Sequence, residues 1–437
     1  MSRLSVDRPA RLKVALVGVS SPGYRSLALG YLRAYAEADP RLSEVAFTTL
    51  DLDTAVDPWW IAYRVLALEP DVVGFSVVCW NARAVYEAIR VVSAVRPEVL
   101  VVVGGPEVGP ISEAVLDGNP GVGAVVRGEG EAAFADLLAA RLRGRDISRV
   151  AGVTARTADR IVSAPDRPVI VDLGTVPSPY LAELVEPVDG AAYIESYRGC
   201  PHSCGYCYEG KGYQRIRQFP DERVAAEIAA IAGTPGVRSF SFIDPVFNLT
   251  PDRLAWLSAT LVPYAERGVS LHTIEVDVER ISPGEAALLA KAGVVSVETG
   301  PQSVGEAALA TCRRGFDRAA FSAGVRACRE AGISVECDLI VGLPGDTPDD
   351  VIAGIDFAIG LDPGKVQLST LHVLSGTDLW ERADELGLVF DPEPPHEVIQ
   401  TAQIAYADLR RLEVLGNAAA RLYAALEEAP SPTPISD

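Results

Sequence analysis

Three cysteines within eight residues constrain the folding of this chain more than any other feature of its sequence. They are Cys200, Cys204 and Cys207, and their spacing is Cys-x3-Cys-x2-Cys. Cysteines this close together form disulfides of poor geometry, and one of the three would stay unpaired. A loop, however, can turn all three thiols toward one point. Three thiolates that leave a fourth position open suit a 4Fe–4S cluster, in which one iron stays free to bind a ligand.

Two alternatives satisfy the same spacing. A structural zinc ion needs a fourth Cys or His ligand, and His202 lies inside the loop. The other alternative is a set of inert thiols. The aromatic Tyr206 just before the last cysteine, and the strand-like residues 191–197 before the loop, favour the cluster.

The cysteine loop resembles that of the radical S-adenosylmethionine (SAM) superfamily. The signature of that superfamily is Cys-x3-Cys-x-aromatic-Cys, on the loop after the first strand of a partial (β/α) barrel. The resemblance implies that the three cysteines hold a 4Fe–4S cluster whose free iron chelates SAM. It also implies that one electron, from a reductase or a flavodoxin- or ferredoxin-type donor, cleaves SAM to a 5′-deoxyadenosyl radical. That radical would take a hydrogen atom from a small-molecule substrate.

Strand-like and helix-like segments alternate along most of the 437 residues, a length that suggests two or three domains. The alternation predicts an α/β fold, with an N-terminal doubly wound, Rossmann-like domain followed by a partial (β/α)6 barrel. We expect the Rossmann-like domain at residues 1–143, a linker with a short hairpin at 144–189, the barrel at 190–387, and a helical extension with a disordered tail at 388–437.

The barrel is predicted to place its chemistry at the C-terminal ends of its strands. In the radical SAM superfamily, the second strand ends near the amino group of SAM, the fourth near its ribose and carboxylate, and the fifth near its adenine. The predicted strands are 191–197, 237–244, 270–278, 294–299, 333–341 and 365–371. The resemblance therefore implies that SAM is bound by Asp244, Glu298, Gly300, Gln302 and Gly342, with Tyr206 beside the cluster.

The N-terminal domain resembles the cobalamin-binding domain that precedes many radical SAM barrels. The implied cofactor-binding residues are Trp80, Asn81, Gly104, Gly105, Glu107, Gly128 and Glu129. Cobalamin domains with a histidine ligand carry Asp-x-His-x-x-Gly after the first strand, whereas no histidine precedes residue 202 here. Either cobalamin binds without a protein histidine, or the domain is an inherited scaffold whose glycines only make tight turns.

Four carboxylates are predicted to face the barrel interior. Strand alternation puts Glu275 and Asp277 on one face of the third strand, and Glu336 and Asp338 on one face of the fifth. Buried carboxylates are costly unless they have partners. We therefore expect these residues to bind a hydroxylated amine, such as an aminosugar, and one of them to act as a base. The alternatives are that some face solvent, hold Arg or Lys in the wall, or serve SAM.

Two reactions fit these features. The first is radical dehydration of an aminosugar-like metabolite in natural-product biosynthesis, which resembles the radical dehydratase of apramycin-type aminoglycoside pathways. The second is C-methylation by a cobalamin-dependent radical SAM methyltransferase. A third function, from a different class, is that of a non-catalytic cobalamin or metal sensor. The missing histidine and the interior carboxylates favour dehydration.

The net charge and the hydropathy of the sequence limit which binding partners and which cellular compartment are compatible with it. The net charge of −20 argues against nucleic-acid binding, which needs a basic face. The sequence has no apolar run long enough to span a membrane and no signal-peptide core at its start. We therefore expect reduced cysteines and a cytoplasmic location.

Overall fold

The computed structural model describes residues 11–209 and 215–428. The chain divides into two compact units, Met1–Val188 and Asp189–Asp437. In the described part, no helix is both long enough and apolar enough to cross a membrane. The predicted disordered tail falls largely after residue 428 and so lies outside the described residues.

The first unit is built on a seven-stranded sheet in the order β2-β1-β3-β4-β5-β6-β7. The first five of these strands are parallel, and the last two pair antiparallel at one edge. Strand β1 carries six buried residues in succession, as expected of a parallel strand covered on both faces. The strands are β1 (Leu12–Ser20), β2 (Val45–Asp53), β3 (Val72–Ser76), β4 (Leu100–Gly104), β5 (Ala124–Val126), β6 (Val153–Arg156) and β7 (Ile161–Ser163).

Helices cover both faces of this sheet. One core contains Ile61, Val85 and Val115 from α2, α3 and α4, and the core on the opposite face contains Leu29 and Phe134 from α1 and α5. The helices are α1 (Leu27–Glu37), α2 (Pro58–Leu66), α3 (Ala82–Val95), α4 (Ser112–Gly118) and α5 (Gly130–Leu142). This confirms the predicted doubly wound domain, and the strand order places its topological switch point between β1 and β3.

The segment 144–189, which the sequence analysis treats as a linker, contributes to this sheet. Its hairpin forms β6 and β7, and β6 pairs with β5. The two strands of the hairpin pair antiparallel with each other. The pairing of β6 with β5 has no signature in the local sequence, because an edge strand joins a sheet through backbone hydrogen bonds rather than through particular side chains.

The second unit is a curved parallel sheet with six strand positions, and it confirms the predicted partial barrel. The third position is interrupted at Thr273, whose φ is +48°, so that it consists of β12 and β13. A bridge between Leu271 and Val294 continues the sheet across this break. The barrel strands are β8 (Ala191–Ile194), β11 (Ser239–Phe242), β12 (Ser270–Leu271), β13 (Ile274–Glu275), β14 (Ser296–Gln302), β15 (Ser334–Val341) and β16 (Lys365–Thr370).

Two short antiparallel pairs accompany the barrel. Strands β9 (Tyr197–Arg198) and β10 (Arg217–Gln218) flank the cysteine loop, and β17 (Val389–Phe390) pairs with β18 (Val398–Gln400). The helices are α6 (Asp221–Gly233), α7 (Pro251–Ala265), α8 (Pro283–Lys291), α9 (Glu306–Thr311), α10 (Arg318–Glu330), α11 (Pro348–Gly360), α12 (Asp378–Glu381) and α13 (Tyr406–Glu428). Capping boxes begin α8 at Ser282 and α11 at Thr347.

The barrel sheet is apolar on the helix side and polar on the interior side. Strand β15 shows this alternation most clearly, because Val335, Cys337 and Leu339 are buried while Glu336 and Asp338 are only partly so. The period of two residues therefore sets which side chains reach the barrel interior.

Two glycines of the first unit allow a test of what each contributes to the fold. Gly105 has φ of +125°, and a Cβ there would lie 2.3 Å from the carbonyl oxygen of Val77. Gly128 has φ of +68° with nothing within 4 Å of its Cβ position. We expect Gly105→Ala to destabilise the β3–β4 region by about 3 kcal/mol, because backbone strain and a backbone clash add. Gly128→Ala should cost about 1 kcal/mol.

Hydrogen–deuterium exchange of the β3 and β4 amides measures both changes in the full-length protein. Equal protection losses in the two variants would contradict the steric account of Gly105.

Candidate active site

The cysteine loop lies at the C-terminal end of the barrel sheet and is held by two distant segments. The amide of Gly205 donates to the carbonyl oxygen of Cys312 at 2.7 Å, and the amide of Leu379 donates to the carbonyl oxygen of Gly205 at 3.1 Å. The Nε–H of Arg313 donates to the carbonyl oxygen of Ser203 at 3.2 Å. The loop is thus fixed by residues after α9 and at the start of α12.

All three predicted cluster thiols line one cavity of about 200 Å³. Burial raises the pKa of the Cys207 thiol to about 12 and also raises that of Cys200. Burial raises the pKa of Cys312 and Cys337 in the same way, so the rise reflects desolvation rather than a ligand role.

The thiols suit a cluster better than a single ion. Among the described residues, no group of three or more His, Cys, Asp or Glu side chains is arranged around one metal ion. A 4Fe–4S cluster has a different requirement, because each thiolate binds a separate iron atom. His202, the fourth ligand of the zinc alternative, has its Nε2 atom 3.6 Å from a carboxylate oxygen of Asp277. The donor set of the loop, three thiols facing one cavity, therefore fits the cluster.

Arg314 brings a positive charge into the same cavity. Its Nη1 atom lies 3.8 Å from the sulfur of Cys204, and its Nη2 atom donates to the carbonyl oxygen of Gly300 at 2.7 Å. A guanidinium stays protonated at any pH that the protein tolerates. The sequence gives no sign of this role, because the basic pair Arg313–Arg314 after α9 belongs to no motif and the contact of Arg314 with Cys204 is long-range.

Five carboxylates line the cavity, and three of them come from adjacent strands. Glu275 of β13 lies directly opposite Glu298 of β14, and Asp338 belongs to β15. The other two are Glu209 and Asp277. Burial, together with the charge of Glu298 and a hydrogen bond to it, raises the pKa of Asp338 to about 9. Desolvation, with the charges of Glu298 and Glu209, raises the pKa of Glu275 to about 7, although the side chain is open to the cavity.

The carboxylates therefore differ in protonation at neutral pH. Asp338 holds a proton, and its Oδ1 atom is buried without a hydrogen-bond partner among the described residues. Asp277 is ionised, because its hydrogen bond to His202 lowers its pKa. Neighbouring acids with unlike pKa values can divide the work of donating and accepting protons.

Glu336 lies apart from Glu275, Asp277 and Asp338, the other three carboxylates that the sequence predicts to face the barrel interior. It lies opposite Lys365 in the register of β15 and β16, and the two form an ion pair. It does not line the cavity that contains Asp338. Alternation places both residues on the interior face, but two residues along a strand is a step of about 7 Å in depth. Glu336 is thus a wall residue paired with a lysine.

Two of the predicted SAM-binding residues also lie away from the cavity. Asp244 is fully buried and accepts hydrogen bonds from the amide of Ser196, at 2.7 Å, and from its hydroxyl. Gly342 lies at the end of β15 beside Val398 and Leu409. In contrast, the predicted residues Tyr206, Glu298, Gly300 and Gln302 line the cavity.

The predicted cobalamin-binding residues follow strand ends in the first unit, but several are buried or hydrogen-bonded within that unit. The Asn81 amide donates to the carbonyl oxygens of Val19, at 3.0 Å, and Ser76, at 3.2 Å, so it ties the ends of β1 and β3 together. Glu129 accepts a hydrogen bond from the amide of Ile170 at 2.6 Å. Glu107 is buried, and Gly104 ends β4. Of this set, Trp80 is open to solvent, with 64% of its surface exposed.

Comparison with protein families identifies both units. The radical SAM superfamily matches residues 194–358, and the B12 binding domain matches residues 14–138. The chain therefore contains a B12-binding domain followed by a radical SAM domain.

Individual relatives carry methyltransferase names. The chain is 26% identical over 375 residues to an uncharacterized methyltransferase of Pyrococcus horikoshii, and the match covers 84% of this chain and 80% of that protein. It is 33% identical over 259 residues to the cobalamin-dependent radical SAM methyltransferase TokK of Streptomyces tokunonensis, which covers 55% of this chain but only 36% of TokK. The chain thus spans about a third of the length of TokK.

A solved structure shows the same fold. It is that of the radical SAM methyltransferase TsrM from Kitasatospora setae, with cobalamin and a 4Fe–4S cluster bound. The two chains superpose with a TM-score of 0.71 at 21% identity, over 92% of this chain and 81% of TsrM.

The proton on Asp338 makes the stability of the barrel depend on pH. The pKa of Asp338 is about 9 in the folded protein and close to 4 in an unfolded chain. Between these values the folded state holds a proton that the unfolded state has lost, so this group destabilises the fold increasingly as the pH rises. We expect Asp338→Asn to stabilise β15 more at pH 8 than at pH 5, by roughly 1 kcal/mol or more.

Hydrogen exchange of the β15 amides at the two pH values measures this difference. Glu336→Gln, on the same strand, is the matched control and should show a much smaller change between pH 5 and pH 8, because the charge of Glu336 is only a lesser cause of the raised pKa of Asp338. The protonated state of Asp338 would be refuted if the two variants behaved alike.

Proposed function

We propose that this chain is a cobalamin-dependent radical SAM C-methyltransferase that acts on a small hydroxylated amine in natural-product biosynthesis. The observation that carries the proposal is the presence, in one chain, of a three-thiol loop at a barrel mouth and a B12-binding domain. The methyltransferase names of the relatives favour methylation over the radical dehydration that the sequence analysis places first.

The cluster would be held by Cys200, Cys204 and Cys207. When bound, a cluster of this kind supplies the electron that cleaves SAM, and cobalamin supplies a carrier for the methyl group. The chain's own contribution at this position is charge balance. The guanidinium of Arg314, 3.8 Å from Cys204, offsets the thiolates and offers two N–H groups suited to the carboxylate of SAM.

The acidic wall of the cavity supports a cationic substrate with hydroxyl groups. Asp277, which is ionised, would accept hydrogen bonds from an ammonium group. The Oδ1 atom of Asp338, which has no partner among the described residues, would accept one from a hydroxyl group. Glu275, with a pKa of about 7, exchanges a proton at neutral pH and is the best candidate for a base.

Cobalamin would be held at the carboxyl edge of the first sheet, by Trp80 and the loops after β4 and β5. An indole with 64% of its surface exposed offers a flat apolar face of the kind that suits a large macrocycle. The open space around Gly128 leaves the backbone accessible at the same edge. No histidine precedes residue 202, so this unit supplies no imidazole to cobalt.

The products of SAM distinguish the two reactions. Transfer of its methyl group leaves S-adenosylhomocysteine, while reductive cleavage leaves 5′-deoxyadenosine and methionine. With cobalamin, SAM and a one-electron reductant under anaerobic conditions, we expect the reconstituted protein to form both S-adenosylhomocysteine and 5′-deoxyadenosine. A dehydratase would form 5′-deoxyadenosine without S-adenosylhomocysteine, and that result would reverse the proposal.

The variant Cys200→Ala/Cys204→Ala/Cys207→Ala is the control for the cluster. It should lose the iron and stop forming 5′-deoxyadenosine. Cys328→Ala, a buried helical cysteine outside the cavity, should keep both.

The cavity carboxylates are predicted to recognise and deprotonate the substrate. Glu275→Gln, Asp277→Asn and Asp338→Asn each remove a charge or an acidic group with little change of shape. A binding residue should raise the apparent Kd for a cationic substrate about tenfold, since a charge-assisted hydrogen bond contributes about 1.5–3 kcal/mol. A base should leave binding intact while 5′-deoxyadenosine forms without product.

Glu336→Gln is again the matched control, because Glu336 is paired with Lys365 and does not line the cavity. The proposed substrate class fails if the three cavity variants behave like this control. If instead the three variants weaken SAM binding alone, these carboxylates serve the cofactor.

An electron donor of the reductase, flavodoxin or ferredoxin type would supply the electron, as in the radical SAM superfamily that the cysteine loop resembles. The net charge of −20 argues against a nucleic-acid partner. The seven cysteines suit a reducing compartment, so we expect the protein to work in the cytoplasm without a membrane partner.

A further inference from the structure

A basic groove lies in the first unit, in a chain that is acidic overall. Its volume is about 660 Å³, which is within the range of small-molecule sites. Five arginines and two aspartates line it, whereas the whole chain has 39 basic and 59 acidic residues. The five are Arg41, Arg143, Arg145, Arg149 and Arg167.

The arginines converge from separate segments. Arg41 precedes β2, Arg143 and Arg145 follow the end of α5, Arg149 belongs to the turn before β6, and Arg167 follows β7. The C-terminus of a helix attracts cations through its dipole, and this accounts for the pair after α5. It does not account for three more guanidinium groups brought to the same groove by other segments.

Internal ion pairs hold part of this cluster in place. Asp136 of α5 accepts a hydrogen bond from Arg41 at 2.8 Å and another from Arg167. Arg149 lies 3.4 Å from a carboxylate oxygen of Asp146. Arg143 and Arg145 are exposed and have neither an ion pair nor a side-chain hydrogen bond among the described residues. Two guanidinium groups therefore remain available on a preorganised basic wall.

The groove shares no lining residue with the proposed cofactor edge of the same sheet. Arg143 and Arg145 follow the C-terminal end of α5, whereas Trp80 and Gly128 follow β3 and β5. Apolar Ala139, Ala140 and Ala151 also line the groove, so it offers an apolar surface beside the guanidinium groups.

We propose that this groove binds a phosphate ester or diphosphate ester of metabolite size, with the phosphate between Arg143 and Arg145 and the organic part on the alanine surface. Guanidinium groups bind phosphate oxygens through paired hydrogen bonds, and the volume accommodates a nucleoside diphosphate. The site is separate from the SAM cavity and is used for binding rather than for chemistry.

Isothermal titration calorimetry of the full-length protein with uridine diphosphate tests this proposal. Uridine diphosphate is chosen because it has no adenine and so does not compete for a site built for SAM. We expect Arg143→Gln/Arg145→Gln to weaken its binding at least tenfold. Inorganic pyrophosphate should bind to the same site, and higher salt should weaken both ligands.

Arg326→Gln/Arg329→Gln is the matched control, since it removes the same charge from a surface groove in the second unit. This control should bind uridine diphosphate like the wild type. Circular dichroism verifies that both double variants fold. The proposal is overturned if the wild type binds neither probe, if Arg143→Gln/Arg145→Gln binds them normally, or if sulfate binds as tightly as uridine diphosphate.

Discussion

The candidate active site depends on the electrostatic interaction between the guanidinium of Arg314 and the sulfur of Cys204. The cavity gathers three thiols and five carboxylates in about 200 Å³, and most of these groups become anions when a cluster forms and the pH is neutral. Like charges at this separation repel strongly in a desolvated site. A fixed cation beside Cys204 lowers that cost, and its hydrogen bond to the carbonyl oxygen of Gly300 keeps it in place.

The site reduces the remaining repulsion through protonation. Glu275 and Glu298 lie opposite each other on β13 and β14, and Asp338 shares a hydrogen bond with Glu298. Burial and the charge of Glu298 raise the pKa of Asp338, and the proton that it holds removes one charge from this group. Asp277 stays ionised, because its hydrogen bond with His202 lowers its pKa. The same distribution leaves the cavity with donors and acceptors at different positions.

The sequence predicts the parts of this site that follow a short period or a fixed spacing. The cysteine loop and the pairs Glu275–Asp277 and Glu336–Asp338 are visible because their spacing is local. Depth along a strand is not local, so Glu336 is grouped with residues that line a cavity from which it is absent. Arg314 is hidden for the same reason, as its contact with Cys204 spans 110 residues. The pairing of β6 with β5 likewise leaves no trace in the residues themselves.

The preference for methylation over dehydration has its origin in the first unit rather than in the barrel. Both reactions need the same barrel groups, namely the three thiols, a cation beside them and acids that orient a hydroxylated amine. The barrel cavity is therefore consistent with either reaction. A B12-binding domain has a direct use in methylation, since a methyl group must be carried between SAM and the substrate, whereas the loss of water transfers no group that needs such a carrier. Trp80 lies exposed at the switch point of the first sheet. Most other residues at this edge are buried or hydrogen-bonded within the unit, as Asn81 is. The exposed indole is therefore the feature of this unit that a bound macrocycle explains most easily. That makes the first unit, more than the acidic cavity, the part of the chain that argues for a methyltransferase.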